Sequence, residues 1–171
     1  GATASLQTSI DHQVNLIVNY GNLTFWDGGN PTNRSNKTVD GGSGTWTAQT
    51  GPDNLNWTDK TGDANGPWVN GQFVVYAGNA GTVTVQDTNN GQSNNVVASG
   101  MQFANNDGLQ YKVTGDDIYA STSSTTIRVG DGTTAGASIT AVLDTVLNDQ
   151  LVSGGTSLVK TDLGTLIITK D

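Results

Sequence analysis

The stretch Gly81-Thr82-Val83-Thr84-Val85 alternates polar and apolar residues directly after a glycine that permits a bend. Gly44-Thr45-Trp46-Thr47-Ala48 repeats this pattern, and Gly164-Thr165-Leu166-Ile167-Ile168 begins in the same way before an apolar run. Such alternation is typical of a strand that turns one face towards a core. The recurring strand start predicts a repetitive β protein in which the chain begins a new strand after each turn.

Short strands alternate with turns along the rest of the chain. Turn sequences rich in Gly, Asn and Asp, such as Asp27-Gly28-Gly29-Asn30 and Asp131-Gly132, separate apolar or alternating runs. The predicted strands are 14–20, 23–26, 45–48, 73–77, 82–86, 95–98, 101–104, 109–114, 118–121, 125–129, 138–143, 158–160 and 165–169. This spacing suits a sandwich and a solenoid equally well.

One of these segments also fits a helix. Its apolar residues recur at helical spacing, at Ile139, Val142, Leu143, Val146 and Leu147. The stretch 138–143 also fits a strand, because a short apolar run does not distinguish a helix from a strand. We predict a strand here and keep the helix as the alternative.

Composition favours a thin, elongated core over a wide globular one. Leu, Ile, Val and Phe make up only about one residue in five of the 171, close to the limit for an ordered chain. The 23 Gly and the many Asn and Thr suit frequent turns and β structure. The length fits one domain or several repeats of a larger solenoid.

Charge and cysteine content exclude several functions. The net charge is −8, and the seven basic residues are scattered, whereas nucleic-acid binding needs clustered Lys and Arg. The chain has no Cys, so it has neither disulfides nor thiolate metal ligands. Gly1-Ala2-Thr3-Ala4-Ser5 lacks a basic and an apolar region, so we expect any signal peptide to lie outside this sequence.

Two groups of motifs resemble bacterial autotransporter passenger domains. Residues 157–171 are similar to the passenger repeat "L-V-K-x-G-x-G-T-L-x-L". Residues 23–85 resemble the passenger block that contains F-W-D-G, D-G-G-S-G-T-W, N-W-T and G-T-V-T-V in this order. The specificity lies in the order of several weak motifs, and the resemblance extends from about Leu23 to the end of the chain.

The resemblance implies an all-β fold, a right-handed parallel β-helix (β-solenoid) with coils of roughly 20 to 30 residues. It implies one passenger fragment over 1–171, with a loop-rich, Trp-containing part at 23–80 and more regular rungs at 81–171. It also implies a bacterial cell-surface or secreted location, with anchoring through an outer-membrane β-barrel outside this fragment.

Aromatic residues in the Asn- and Thr-rich loops are the candidate binding residues. Trp57, Trp68 and Trp26 could stack on sugar rings or anchor a protein partner. The alternative is that the Trp side chains, Trp46 above all, point into the core, because large aromatic residues dominate core packing. The loops at 28–36 and 48–70 are long and irregular, which is typical of functional loops.

The remaining motifs complete neither a calcium site nor a catalytic triad. Asn105-Asn106-Asp107-Gly108, Asp116-Asp117 and Asp131-Gly132 could supply oxygens to calcium, but each has too few ligands, and turn formation explains them. Ser43 in Gly41-Gly42-Ser43-Gly44 and the single His12 do not make a catalytic triad. The Asn-x-Ser/Thr sequons at Asn22, Asn33, Asn36 and Asn56 are expected by-products of turn-rich sequence.

We therefore predict a non-enzymatic adhesin segment with no cofactor and no bound metal. Its expected partner is a host cell-surface protein or glycan, or another passenger through self-association, without nucleic acid and without membrane insertion of this fragment. One alternative is a carbohydrate-active β-helix, a lyase or hydrolase that uses Arg128 near Asp131 and Asp116-Asp117. Another is a purely structural stalk without a ligand.

Overall fold

A computed structural model describes residues 3–7, 15–19, 23–49, 51, 54–89, 92–105 and 107–170 of the chain. The regular secondary structure of these residues is mostly β-strand, joined by turns and irregular segments, with short 3-10 helices at Pro31–Asn33 and Ala135–Ser138. In this part of the chain no helix is long and apolar enough to cross a bilayer.

The strands are short, between two and six residues long. They are β1 (Thr3–Gln7), β2 (Asn15–Asn19), β3 (Leu23–Trp26), β4 (Gly44–Trp46), β5 (Trp57–Thr58), β6 (Asn65–Gly66), β7 (Phe73–Tyr76), β8 (Thr82–Val85), β9 (Thr88–Asn89), β10 (Gln92–Ser93), β11 (Val96–Ala98), β12 (Gly100–Phe103), β13 (Tyr111–Gly115), β14 (Ile118–Ala120), β15 (Ser124–Val129), β16 (Thr140–Asp144), β17 (Leu147–Asn148), β18 (Ser157–Thr161) and β19 (Thr165–Ile168).

Three sheets contain most of these strands. Sheet 1 has the order β18-β15-β12-β7-β3-β5-β6, sheet 2 the order β19-β16-β13-β8-β4, and sheet 3 the order β11-β14-β17. Pairing is parallel throughout sheets 2 and 3 and from β18 to β3 in sheet 1. The hairpins β1–β2 and β9–β10 are antiparallel and separate from these sheets.

The chain visits the three sheets in a fixed order. From β7 to β17 it passes through sheet 1, sheet 2 and sheet 3 three times in succession, and β18 and β19 begin another such repeat. Successive strands within one sheet belong to successive repeats, which is why their pairing is parallel. The predicted all-β architecture with parallel stacking between repeats is confirmed.

Equivalent apolar residues of successive repeats lie above one another. Val83 pairs with Val113, and Val113 pairs with Leu143 in the next repeat. All three side chains are buried, while the residues on either side of each one in its strand are exposed or half-buried. Full burial of such a side chain contributes roughly 1.5–3 kcal/mol, so each added repeat stabilises its neighbour.

The strand predictions hold for the regular part of the chain. From Leu23 onward every predicted strand is present with ends that differ by at most two residues. The helix alternative at 139–147 is wrong, because the segment contains β16, which alternates between buried and half-buried residues, and the start of β17. The prediction at 14–20 falls partly outside the described residues, within which β2 covers 15–19.

The first repeat departs from this regularity. Between β4 and β7 the chain makes an insertion in which β5 and β6 pair antiparallel and extend sheet 1 beyond β3. Turns stack closely here: Gly28 has φ +76, and a Cβ on it would collide with the carbonyl oxygen of Gly41. Only glycine combines that backbone conformation with that approach.

Tyr111 ties three repeats together. Its hydroxyl donates a hydrogen bond to the Ala77 carbonyl (3.0 Å) and accepts one from the Gly42 amide (3.2 Å). Burial raises the pKa of this hydroxyl far above its ordinary value. The hydrogen-bonded phenol therefore stays neutral and fixes the turns of the first and second repeats against the third.

Candidate functional surface

The two long loops singled out from the sequence meet in space. The Ser35 amide donates to Asn65 Oδ1 at 2.7 Å, and the Asn65 amide donates to Ser35 Oγ at 3.3 Å. The Lys37 amide donates to the Gly62 carbonyl at 3.0 Å. Residues 30–38 and 59–66 thus form one continuous, largely exposed patch beside the first repeat, which we name the loop surface.

A buried carboxylate joins these loops from below. Asp27 follows β3, and its two oxygens accept hydrogen bonds from the Asp40 amide (2.8 Å) and from Asn65 Nδ2 (2.9 Å). Burial raises the pKa of this carboxyl, while its hydrogen bonds act in the opposite direction. Because each oxygen contacts a different loop, Asp27 fixes one loop against the other.

Asn56 supplies a second buried link. Its Oδ1 accepts a hydrogen bond from the Arg34 guanidinium at 3.0 Å, and its Nδ2 donates to the Thr45 carbonyl at 2.9 Å. A buried amide that makes both kinds of hydrogen bond is satisfied and holds its neighbours in one geometry. The insertion is therefore attached both to the loop before β4 and to β4 itself.

Short-range hydrogen bonds order the exposed tips. Asn30 Oδ1 accepts from the Thr32 amide at 3.1 Å and so begins the 3-10 helix Pro31–Asn33. Asp59 Oδ1 accepts from the Thr61 amide at 2.8 Å and from the Thr61 hydroxyl, which lowers the pKa of Asp59. These side chains shape the loops through turn chemistry.

The tryptophans lie under the loop surface and not on it. Trp26, Trp46, Trp57 and Trp68 are 0–4% exposed and belong to the main core. Trp57 contacts three other indoles, with ring centroids 4.9 Å from Trp26, 5.3 Å from Trp46 and 4.8 Å from Trp68. The first two pairs are edge-to-face and the third is tilted, and aromatic packing of this kind stabilises a core.

The structure places Trp26, Trp57 and Trp68 in the core, so the core alternative describes all four indoles. The reason is that the insertion closes over β3 and β4 and covers their aromatic residues. The indole Nε1 of Trp26 donates to the Gly42 carbonyl and that of Trp68 to Asn70 Oδ1, each at 2.7 Å. A direct role in binding for Trp26, Trp57 and Trp68 stays a prediction, and it would require them to leave the core.

The candidate acidic clusters are occupied by turn hydrogen bonds. Asp107 Oδ1 accepts from Asn105 Nδ2 (2.8 Å) and the Leu109 amide (3.1 Å), while Oδ2 accepts from the Ala80 amide (2.7 Å). Asp131 Oδ1 accepts from the amide and hydroxyl of Thr133. Within the described ranges no three His, Cys, Asp or Glu side chains are grouped to hold a metal.

Arg128 pairs with a residue that sequence reasoning missed. Its Nε lies 2.9 Å from Asp162 Oδ2, and the same oxygen accepts from the Gly132 amide at 2.9 Å. Asp116 and Asp117 make other contacts. Asp116 accepts a hydrogen bond from the Asp87 amide, and Asp117 accepts one from Asn148 Nδ2. The arrangement links β15 to the turn after β18 between adjacent repeats.

Comparison with known proteins bears on this architecture. The adhesin BmaC autotransporter of Brucella suis biovar 1 (strain 1330) is 46% identical over 97% of this chain. The resemblance to autotransporter adhesins is confirmed. The passenger-like segment spans 5% of the length of the curated relative that it matches. No family model matches the chain, and no significant match to a solved structure was found.

Proposed function

We propose that this chain is a non-enzymatic segment of a bacterial autotransporter passenger that mediates attachment. The observation that carries the proposal is the 46% identity, over nearly the whole chain, to a protein named as an autotransporter adhesin. We further propose that the three sheets close into a right-handed parallel β-helix and that the segment is displayed at the bacterial surface or secreted. Parallel pairing between successive repeats supports this geometry.

The loop surface is the part of the chain that we propose as the attachment site. Loops positioned by a rigid scaffold commonly carry binding function. Here Asp27 and Asn56 hold two loops in one geometry, and the loops present charged and polar side chains, among them Lys37, Lys60 and Asp63. A patch of this polarity suits a host cell-surface glycan or protein, or another passenger, through a hydrated interface.

Charge reversal on the loop surface tests this assignment. Beads coated with the wild-type chain are compared with beads carrying Lys37→Glu/Lys60→Glu, in which two exposed cations of the loop surface become anions. The matched control is Lys160→Glu/Lys170→Glu, which changes the net charge equally at β18 and after β19. We expect attachment to cells to fall about tenfold for the loop variant alone, a typical effect for a few interface residues.

The result also identifies the partner class. Loss of attachment after periodate treatment of the cells indicates a glycan, loss after protease treatment indicates a protein, and bead clustering without cells indicates self-association. Equal losses for the two double variants would contradict a role for the loop surface, because only overall charge would then matter. Wild-type beads that attach no better than albumin-coated beads would contradict the adhesin assignment itself.

A further inference from the structure

The Asn-x-Ser/Thr sequons share one sequence pattern but differ in their exposure in the structure. Asn-x-Ser/Thr is the acceptor tripeptide of N-linked glycosylation, and modification requires that the tripeptide be accessible. Asn22 lies outside the described residues, whereas Asn33, Asn36 and Asn56 lie within them. Their surroundings differ in exposure and in the hydrogen bonds of the amide group.

Asn36-Lys37-Thr38 is exposed along its whole length at the edge of the loop surface. Asn36 Oδ1 accepts a hydrogen bond from the Thr38 amide at 2.9 Å, and Lys37 between them has φ +68. The Lys37 amide is held by the Gly62 carbonyl at 3.0 Å. The sequon therefore stands as a fixed turn, with the asparagine amide and the threonine on the outside of the molecule.

From this geometry we propose that Asn36 is an N-glycosylation site that accepts a hexose from a sugar nucleotide through a separate glycosyltransferase. A bond forms between Asn36 Nδ2 and C1 of the sugar. The bond between C1 and the phosphate oxygen breaks, and the nucleoside diphosphate leaves with its electron pair. One Nδ2 proton passes to a base of the transferase.

The native contacts of Asn36 tolerate this modification. Nδ2 donates a hydrogen bond to Asp40 Oδ2 at 2.7 Å. An asparagine Nδ2 carries two hydrogens, so the contact uses one and the other can be replaced by the sugar. The glycosylated residue keeps one N–H for Asp40 and its Oδ1 for Thr38, and the turn is preserved.

Asn56-Trp57-Thr58 provides a negative control within the same chain. All three residues are buried, and Asn56 uses Nδ2 for the Thr45 carbonyl and Oδ1 for Arg34. Because Asn56 is 1% exposed, a sugar on Nδ2 would have to displace the residues that bury it. Asn33 is half-buried, so we expect it to be a poorer glycosyl acceptor than the exposed Asn36.

An in vitro transfer experiment distinguishes the sequons. The folded chain and synthetic peptides 31–41 and 51–61 are incubated with UDP-glucose and a purified bacterial transferase that recognises Asn-x-Ser/Thr. We expect Asn36 to be modified at similar rates in chain and peptide. Asn56 is expected to react in the peptide but about a hundredfold more slowly in the folded chain, because access requires local unfolding.

Three variants check the acceptor. Asn36→Gln and Thr38→Ala are expected to abolish the transfer of hexose to this site, whereas Thr38→Ser, which restores the sequon, retains it. Both substituted residues are exposed, so the circular dichroism spectrum should stay unchanged. If the folded variants and wild type gain hexose equally, or if Asn36 reacts in the peptide alone, the proposal is wrong.

The natural passenger gives the decisive result. Because trypsin would cut beside Arg34 and Lys37, the passenger from the bacteria that make it is digested with chymotrypsin, and the peptide Asp27 to Trp46 is sequenced by mass spectrometry. We expect a hexose on Asn36 and none on Asn56. Recovery of this peptide in unmodified form alone would overturn the proposal.

Discussion

Replacement of Trp57 by alanine tests whether the indoles are core residues or surface anchors. Trp57 lies in β5 of the insertion, is 2% exposed, and contacts Trp26, Trp46 and Trp68. Its removal leaves a cavity between the insertion and the first repeat. We expect the insertion to lose its main apolar contact with the core.

The expected loss in the free energy of unfolding depends on the packing of Trp57 and on its indole N–H. Truncation of a buried Trp to Ala typically lowers the free energy of unfolding by about 3–5 kcal/mol. Its three indole contacts favour the upper end, since each aromatic pair contributes about 0.5–1.5 kcal/mol beyond burial. Among the described residues Trp57 Nε1 is buried without a hydrogen-bond partner, and removing this unsatisfied donor offsets about 1–3 kcal/mol of the loss. We expect a net loss of about 3 kcal/mol, the upper end of that range less an offset of about 2 kcal/mol.

Urea unfolding followed by fluorescence and circular dichroism measures this loss, and two variants serve as controls. Trp57→Phe keeps a ring and removes the unpartnered N–H, so its loss should be clearly smaller. Leu109→Ala changes a side chain that is 66% exposed and should shift stability by less than about 0.5 kcal/mol. Hydrogen exchange should show lost protection in β3 and β4 but little change in β16 and β19, because repeats stabilise mainly their neighbours.

A different outcome would refute the reasoning. If Trp57→Ala unfolds at the wild-type urea concentration while attachment to cells falls, the indole is a surface anchor and the packing described above is wrong. If stability falls and hydrogen exchange accelerates equally in all repeats, the chain unfolds as one unit, and the assumption of neighbour-limited coupling fails.

Two further predictions concern buried carboxylates. The folded-state pKa of Asp27 lies above its ordinary value of 3.8. At a pH between 3.8 and this raised pKa, Asp27 is protonated in the folded chain and ionised in the unfolded chain. Wild-type stability relative to Asp27→Asn should therefore fall as pH rises through that window, as measured by urea unfolding at several pH values, and a flat difference would contradict the buried environment. Asp162 has φ +68 and a side chain that is 8% exposed beside Arg128, so Asp162→Asn, which tolerates this conformation, should cost about 2 kcal/mol through loss of charge. Asp162→Ala should cost about 1 kcal/mol more through backbone strain, and equal losses for the two variants would show that the backbone conformation carries no cost.

The regular strands were predictable because their signal is local. Alternation in 82–85 and 125–129, each bounded by turn residues, identifies a strand with one buried face, whatever it pairs with. The signal at 140–144 does not by itself separate a strand from a helix, since its apolar residues fit both periods. The all-β class and the turn roles of Asp and Asn follow from composition, because these side chains hydrogen-bond their own backbone.

Apart from β1 (Thr3–Gln7), the missed strands are those without such a signal. β5, β6, β9, β10 and β17 contain two residues each, too few for a period to appear. Their positions depend on what they pack against, as with β5, which pairs with β3 across a separation of about thirty residues. Asp162 likewise stands where the passenger repeat has glycine, and its pairing with Arg128 depends on the stacking of two repeats.

Sequence thus determined the β character, the turns and the relationship to autotransporter adhesins, all of which depend on local patterns and their order. Only the tertiary structure decided that the indoles are buried, that loops 30–38 and 59–66 form one surface, and that Asn36 is exposed where Asn56 is not. The physical reason is that burial in an irregular loop depends on which distant segment covers it. The insertion is held in place by hydrogen bonds of Asp27 and Asn56, and residue spacing does not predict the partners of these bonds.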